Sequence, residues 1–473
     1  MRGNKKYGWF GGDPVLATAP ASYEALREQA ASALGKEDFE GAVDMYDRAI
    51  ALDPLPAEAY YKRGNALRQL GRLDAAIESY SAAIARKSDY SYAYCNRGVV
   101  QQSLGLRAEA LTSYERAIAL DPADAMAHYN RALLLQESLR WDEALDSYDR
   151  AIAINPGYAD AQYNRSLTLL YCGDFERGWQ SYEWRWKLAE RLSIGKVRDF
   201  AQPLWLGKEP LAGKRILLHS EGGLGDTIQF CRYAPLVAAQ GATVYLEIQK
   251  PLLALLGNLK GVARWVAQGG DLPVFDFHCP LMSLPLAFNT AVPTVPVDAG
   301  YLRADPQRVA QWKARLGKRD RPRVGLVWSG NPNNTIDSRR TIRLADWVAH
   351  LPPECRYFCL QKDVREEDQE TLLASSLIRT FDDDELGFVD TAALCACMDL
   401  VISVDTSIAH LSGALGRPTW ILLSLIPDWR WLADRDDSPW YPTAKLYRQR
   451  TAGDWTAVFE RVAADLRREF SAG

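Results

Sequence analysis

Two short stretches set a carboxylate and small or hydroxylic residues at the start of a helix, directly after an apolar β-type run. In the first, residues 215–220 (RILLHS) lead into glycines 222, 223 and 225 and then Asp226. A turn with so little side-chain bulk lets a substrate approach the backbone. Asp226 beside it can serve as a general base that takes a proton from an acceptor hydroxyl, or only as a cap for the helix that follows. In the second, Asp405, Thr406, Ser407 and His410 follow the run Leu400–Val404. Unpaired amides at such a helix start favour a phosphate, Thr406 and Ser407 add hydroxyl donors, and His410, one turn further along the same face, is with Asp226 a candidate catalytic residue. Arg339 and Arg340 stand in a polar loop, residues 329–343, that also holds Asn331, Asn333 and Asn334. The arginine fork suits a diphosphate, although surface arginines are commonly only solvated. Gln361 and Lys362 close the run 356–360, within reach of a base, ribose or phosphate.

Other chemistries fit less well. A dinucleotide turn of the form G-x-G-x-x-G needs a third glycine, but three residues after Gly225 stands Ile228, and Gln249 follows the second strand where a ribose-binding acid is expected. The eight cysteines are scattered, and Cys355/Cys359 and Cys395/Cys397 lack both the spacing and the nearby histidines of a zinc site. They read as reduced thiols, and no metal is expected. With 48% hydrophobic and 25% charged residues and a formal charge of −4, the chain has ordinary globular composition and no bulk attraction to nucleic acid or anionic membrane. The glycine- and proline-containing start does not read as a signal peptide, and no uninterrupted apolar segment is long enough to span a bilayer, so the expected location is cytoplasmic.

The elements that must carry these residues alternate. Runs at 215–220, Thr243–Ile248, 262–266 and 274–278 are separated by helix candidates, the first over 227–237. A second series runs through 323–328, 356–360, Leu400–Val404 and Thr419–Leu423. Such alternation predicts two doubly wound α/β lobes whose ligands bind at the carboxyl ends of the strands.

The first third is built differently. Tyrosine recurs every 34 residues at 46, 80, 114, 148 and 182, arginine at 63, 97, 131 and 165, and alanine at 42, 76, 110 and 144. Proline or serine stops each unit, at Pro54, Ser88, Pro122 and Pro156. A 34-residue period with two amphipathic halves broken near a glycine such as Gly71 is the tetratricopeptide signature, predicting a solenoid of about five helix pairs over residues 22–187. In the fifth unit Trp179, Trp184 and Trp186 crowd the second helix, either joining the repeats to the next domain or forming a terminal cap. Asn96, Asn130 and Asn164 share the position before the repeated arginine, with Lys62 in the second unit. An amide column facing the groove can pair with the backbone of an extended peptide or merely solvate the groove. It resembles the asparagine ladder of the O-GlcNAc transferases, which also join repeats to a glycosyltransferase.

Residues 211–447 resemble the heptosyltransferase-like glycosyltransferases. Gly225 and Asp226 match that family's glycine-aspartate turn, and Asp405, Thr406 and His410 match its Asp-Thr-x-x-x-His element. Arg340 stands where heptosyltransferases carry lysine, seven residues before Trp347. The resemblance implies a GT-B fold with two Rossmann-like lobes, no obligatory metal or cofactor, and inversion at the sugar carbon. Asp226 would be the base and Arg340 would neutralise the leaving diphosphate, which the amides of Thr406 and Ser407 would hold. The arginine in place of lysine leaves the donor nucleotide open.

The resulting expectation is an N-terminal tail (1–21), a repeat domain (22–187), a linker (188–210), an acceptor-side lobe (211–318), a donor lobe (319–447) and a C-terminal helix (448–473). The expected activity is transfer of a sugar from a nucleotide-diphosphate donor to a hydroxyl of a polypeptide held by the repeats. A saccharide-directed, heptosyltransferase-like enzyme and a non-catalytic repeat scaffold are the alternatives.

Overall fold

The structure, a computed structural model, describes residues 22–188, 198–297, 300–332, 337–381 and 387–470. The tail 1–21 and Asn333 and Asn334 of the polar loop lie outside them. The chain divides into two compact units, Met1–Pro156 and Gly157–Gly473.

The described residues of the first unit form four helix pairs: α1 (Tyr23–Gly35) and α2 (Phe39–Leu52), α3 (Ala57–Gln69) and α4 (Leu73–Arg86), α5 (Ser91–Ser103) and α6 (Arg107–Leu120), α7 (Ala125–Glu137) and α8 (Trp141–Ile154). The turn within each pair passes through one left-handed residue at the 34-residue step: Glu37, Gly71, Gly105 and Leu139. Glycine takes that conformation without strain, whereas Glu37 and Leu139 each bear about 1 kcal/mol for it. The periodic residues make the core: Ala42, Ala76, Ala110 and Ala144 are fully buried, as are Tyr80, Tyr114 and Tyr148. The repeated arginine has a partner that recurs with it. Arg63, Arg97 and Arg131 donate to the hydroxyls of Ser79, Ser113 and Ser147, sixteen residues on.

The second unit begins with the fifth pair, α9 (Ala159–Tyr171) and α10 (Phe175–Tyr182). These helices were expected in a repeat domain ending at 187, but the compact division falls before them. A sheet follows of β1 (Arg215–His219), β2 (Thr243–Ile248), β3 (Val262–Ala267) and β4 (Phe277–Pro280), in the order β3-β2-β1-β4. A larger sheet contains β5 (Arg323–Val327), β6 (Arg356–Cys359), β7 (Ile378–Arg379), β8 (Leu400–Val404), β9 (Thr419–Leu423) and β10 (Ala444–Arg448), in the order β10-β9-β8-β5-β6-β7. Every pairing between these strands is parallel. Parallel sheets with intervening helices are consistent with Rossmann-like architecture. The central strands β5, β8 and β9 are buried along their whole length, which is why they read as continuous apolar runs.

Local differences have local causes. The expected strand 274–278 begins only at Phe277, since Val274 lies on the surface. The helix expected over 227–237 is two pieces, α11 (Leu224–Phe230) and α12 (Ala234–Ala239), with a tighter turn between them and Pro235 in the first turn of the second. Edge strand β10 (AKLYR) mixes charge with apolar residues and short β7 has two residues, so neither carried a run to read. The C-terminal helix spans Thr456–Phe470. No helix among the described residues is long and apolar enough to cross a membrane.

Candidate functional site

Both chemically suggestive stretches lie at carboxyl ends of parallel strands, where α/β sheets bind ligands. After β1 the chain turns through Gly222, whose φ of +67° is left-handed, and α11 starts at Leu224. A Cβ on Gly222 would stand 2.5 Å from Asp226 Oδ2, so the turn needs glycine both for its conformation and for room. Asp226, third in the helix, accepts from the Gly223 N–H at 2.7 Å through Oδ2. Its role at the helix start is therefore real, but it uses only one oxygen.

The other oxygen, Oδ1, accepts from Arg430 Nη2 at 2.5 Å. The sequence reading missed Arg430, which sits in a Trp-Arg-Trp turn 204 residues away. Its Nε donates to Gln229 Oε1 at 2.7 Å and its Nη1 to Asp428 Oδ1 at 2.8 Å, while the guanidinium lies 4.4 Å from the Trp429 ring. Burial works against the Arg430 charge, but Asp428 and Asp226 outweigh it and hold the proton more firmly than usual. Burial raises the Asp226 pKa, while Arg430 and the Gly223 N–H pull against the rise.

The two stretches meet. The helix after β8, α13 (Ser407–Ala414), packs on α11, and a Cβ on Gly225 would come 2.8 Å from His410 Cδ2 and 3.4 Å from Ser407 Cα. Gly225 thus acts by close approach of two helices. Thr406 caps α13, accepting from the Ile408 N–H at 3.3 Å, and its hydroxyl lies 3.1 Å from Ser403 Oγ. Ser407 is half-buried beside it. His410 is buried, with Nδ1 2.9 Å from the Tyr441 hydroxyl, Nε2 3.7 Å from Asp405 Oδ1, and its ring stacked on Trp431. Burial, then the arginines 430, 232 and 340, keep this imidazole neutral. Burial and Asp428 push the Asp405 carboxyl up to about 6.

Arg340 reaches the same helix start. Its Nη1 donates to the Asp405 carbonyl at 2.5 Å and its Nε to Asp337 Oδ1 at 3.0 Å. Asp337 also pairs with Arg365, so Arg340 is held by a buried acid rather than solvated. Arg339 points to solvent and Lys362 is exposed. Gln361 is buried and ties strand ends together, its Oε1 accepting from the Trp328 and Ser329 N–H groups. Gln249 does the same in the first lobe, accepting from Thr227 Oγ1 at 2.8 Å. Ser220 Oγ and Ser329 Oγ, just past β1 and β5, are buried without a hydrogen-bond partner among the described residues. Those residues contain no cluster of three or more His, Cys, Asp or Glu side chains placed to hold a metal ion.

In the first unit a groove of about 520 Å³ is lined by Leu34, Tyr61, Asn65, Arg68, Asn96 and Met126 among others. Asn96 Nδ2 donates to Asn65 Oδ1 at 2.9 Å and to the Tyr61 hydroxyl at 3.1 Å. Asn130 Nδ2 lies 3.6 Å from Cys95 Sγ. Asn164 belongs to the second unit. Asn65, one of the groove's acceptors, escaped the sequence reading because it stands outside the arginine column.

Residues 27–91, 95–159 and 129–176 match the tetratricopeptide repeat family. These are tetratricopeptide repeats. The chain is also 29% identical over 330 residues to protein FlbA of Caulobacter vibrioides, covering 63% of this chain and 53% of FlbA, so it spans about half that protein's length. The crystal structure of MamA matches at 24% identity over 35% of this chain and 96% of MamA, with a TM-score of 0.32. YrrB, described as a TPR protein with an unusual peptide-binding site, matches at 24% identity over 36% of this chain and 88% of YrrB, also with a TM-score of 0.32.

Proposed function

We propose that the second unit is a glycosyltransferase of GT-B type that moves a sugar, with inversion, from a nucleotide-diphosphate donor to a hydroxyl of a polypeptide recruited by the tetratricopeptide repeats. The observation that carries the reading is the meeting of the Gly225-Asp226 turn, at the carboxyl end of one parallel sheet, with the capped helix start at Thr406 and Ser407 on the other, Gly225 making the close approach. A diphosphate fits the second side: helix amides, two hydroxyls and a cation, Arg340, fixed on the Asp405 carbonyl. The base fits the first. Asp226 keeps lone pairs beyond the two hydrogen bonds it accepts, and its raised proton affinity suits it to take a hydroxyl proton. The partnerless hydroxyls of Ser220 and Ser329 add polar capacity at the same strand ends. His410, neutral and packed between Tyr441 and Trp431, supports the helix start and is better suited to that than to proton transfer.

The acceptor arm rests on the groove of the first unit, where Asn65, Asn96 and Arg68 offer polar groups beside Tyr61 and Met126, a lining suited to extended peptide. A thermal-shift screen of nucleotide sugars identifies the donor, since a ligand of the folded state raises its melting temperature. With that donor, Asp226→Asn is expected to lower transfer roughly 10²- to 10⁴-fold while leaving donor affinity nearly unchanged. Full activity in that variant would remove Asp226 as the base. Arg340→Ala is expected to weaken donor binding in calorimetry.

A further inference from the structure

The fifth repeat breaks the internal pattern at one buried place. Ala49, Ala83, Ala117 and Ala151 occupy equivalent positions in the first four repeats, and all four are fully buried. The same step of 34 lands on Arg185, which is also buried, at 1% exposure. An arginine where a methyl suffices is costly unless its charge is met. It is met by Glu221: Arg185 Nε and Nη2 donate to the two carboxylate oxygens, each at 2.8 Å. Ser283 Oγ, Glu183 Oε1 and the Tyr182 carbonyl take the remaining donors, and the Tyr182 and Trp186 rings flank the guanidinium at 4.7 and 4.6 Å. Glu221 begins the turn whose Gly223 N–H holds Asp226 Oδ2.

A second line runs from the same repeat to the other oxygen of Asp226. Trp179 and Tyr182 pack on Trp429 with ring centroids 5.2 and 6.0 Å away, and the Trp179 Nε1–H donates to the Thr290 carbonyl at 2.9 Å. Trp429 precedes Arg430, whose Nη2 holds Asp226 Oδ1. The chain beyond is tied down by the Ala433 N–H, which donates to the Tyr171 carbonyl of α9 at 2.8 Å.

We propose that the fifth repeat is a working part of the transferase site, and that Arg185 and Arg430 are positioning residues that fix the Asp226 carboxylate from its two sides. This rests on Asp226 being the base of the reaction proposed above. A hydroxyl must meet that carboxylate within a few tenths of an ångström, and a side chain held at both oxygens loses no time in unproductive rotamers. A buried ion pair of this kind need not stabilise the fold more than apolar packing would. Its gain is in geometry and in keeping the carboxylate ionised.

The charged and titratable groups that face Asp226 are Arg430 and Asp428 in their shared turn, Tyr163 on α9, and His410 on α13 against Gly225. Among these Arg430 is the cation that offsets burial. The test uses the full chain and its identified donor, and reads kcat, KM and the pH–rate profile. Arg430→Met is expected to lower kcat by about tenfold or more with donor affinity nearly unchanged, and to move the acid limb of the kcat profile upward by about one pH unit. Arg430→Lys should return the limb most of the way. Arg185→Lys keeps the charge but cannot bridge both oxygens of Glu221, and is expected to cost several-fold in kcat with little change in the limb. A soluble Arg430→Met enzyme with the wild-type rate and limb, or an Arg185→Lys enzyme with the wild-type kcat, in a protein that Asp226→Asn inactivates, overturns this inference and leaves the proposed function standing. Equal rates in wild type and Asp226→Asn overturn both.

Discussion

The third and fifth repeats share one 34-residue plan and put it to different use. In both, the periodic arginine reaches the serine sixteen residues on, Arg97 to Ser113 and Arg165 to Ser181, each at 3.2 Å. In both, the periodic tyrosine is buried. The off-pattern positions differ. Where the third repeat has Leu111 and Ala117, the fifth has Trp179 and Arg185. Leu111 is partly buried in an apolar cluster of α5, α6 and the neighbouring α7, whereas Trp179 lies among Phe175, Trp429 and Trp440. The periodic residues keep the helix pair a helix pair, and the exceptions decide what it packs against.

That contrast can be broken most sharply at Trp179. Trp179→Ala is expected to destabilise the second unit by about 3–5 kcal/mol through lost packing and the lost bond to Thr290, read as faster hydrogen exchange across residues 157–473 with the first unit unchanged. Equal loosening of α5 and α6 would mean that the fifth repeat stabilises the array rather than the α/β part.

A smaller difference concerns protons. The Asp405 carboxyl, pushed up to about 6, binds its proton more tightly folded than unfolded. Between its ordinary value near 4 and about 6 the folded state therefore holds more protons, and stability falls as pH rises, by up to about 1.4 kcal/mol per pH unit. Asp405→Asn should remove that decline. The check is the melting temperature of the variant against wild type from pH 4 to 7, and parallel curves would contradict the assignment.

The shared features should respond alike. Arg97→Ala and Arg165→Ala are each expected to cost about 1 kcal/mol, the worth of a partly buried hydrogen bond, in denaturant melts followed by exchange in their own repeat. Unequal losses would show that the fifth repeat has recruited its arginine as well. The least effect is expected for Tyr114→Phe, which deletes the 2.9 Å bond to Gln102 Oε1 and leaves the ring in place, for about 0.5–1 kcal/mol.

The same division governs what could be read in advance. Helix pairs were legible because burial of one face repeats every three or four residues and the plan recurs every 34. The left-handed turn column was visible at Gly71 and Gly105 but hidden at Glu37 and Leu139, whose residue types do not announce that conformation. At the site, Gly225, Asp226, Arg340, Asp405 and Thr406 were found because a strand end followed by a helix start is a local pattern, and the structure brings them together. Gln361 proved to join strand ends, and Arg339 and Lys362 face solvent, since loop residues carry no signal of direction. Arg430 was out of reach: nothing near it in the chain names a partner 204 residues earlier.

By itself the sequence determined most of the elements and their order: the repeat period, the apolar strand runs other than β7 and β10, and the small residues at two strand-to-helix turns. These follow from interactions within a few residues, where spacing along the chain is spacing in space. Only the tertiary structure decided that the fifth repeat belongs with the α/β unit, that Arg185 meets Glu221, and that Asp226 is held by Arg430. Those pairings join segments tens to hundreds of residues apart, and a charge can be buried there only because the fold brings its counter-charge to it.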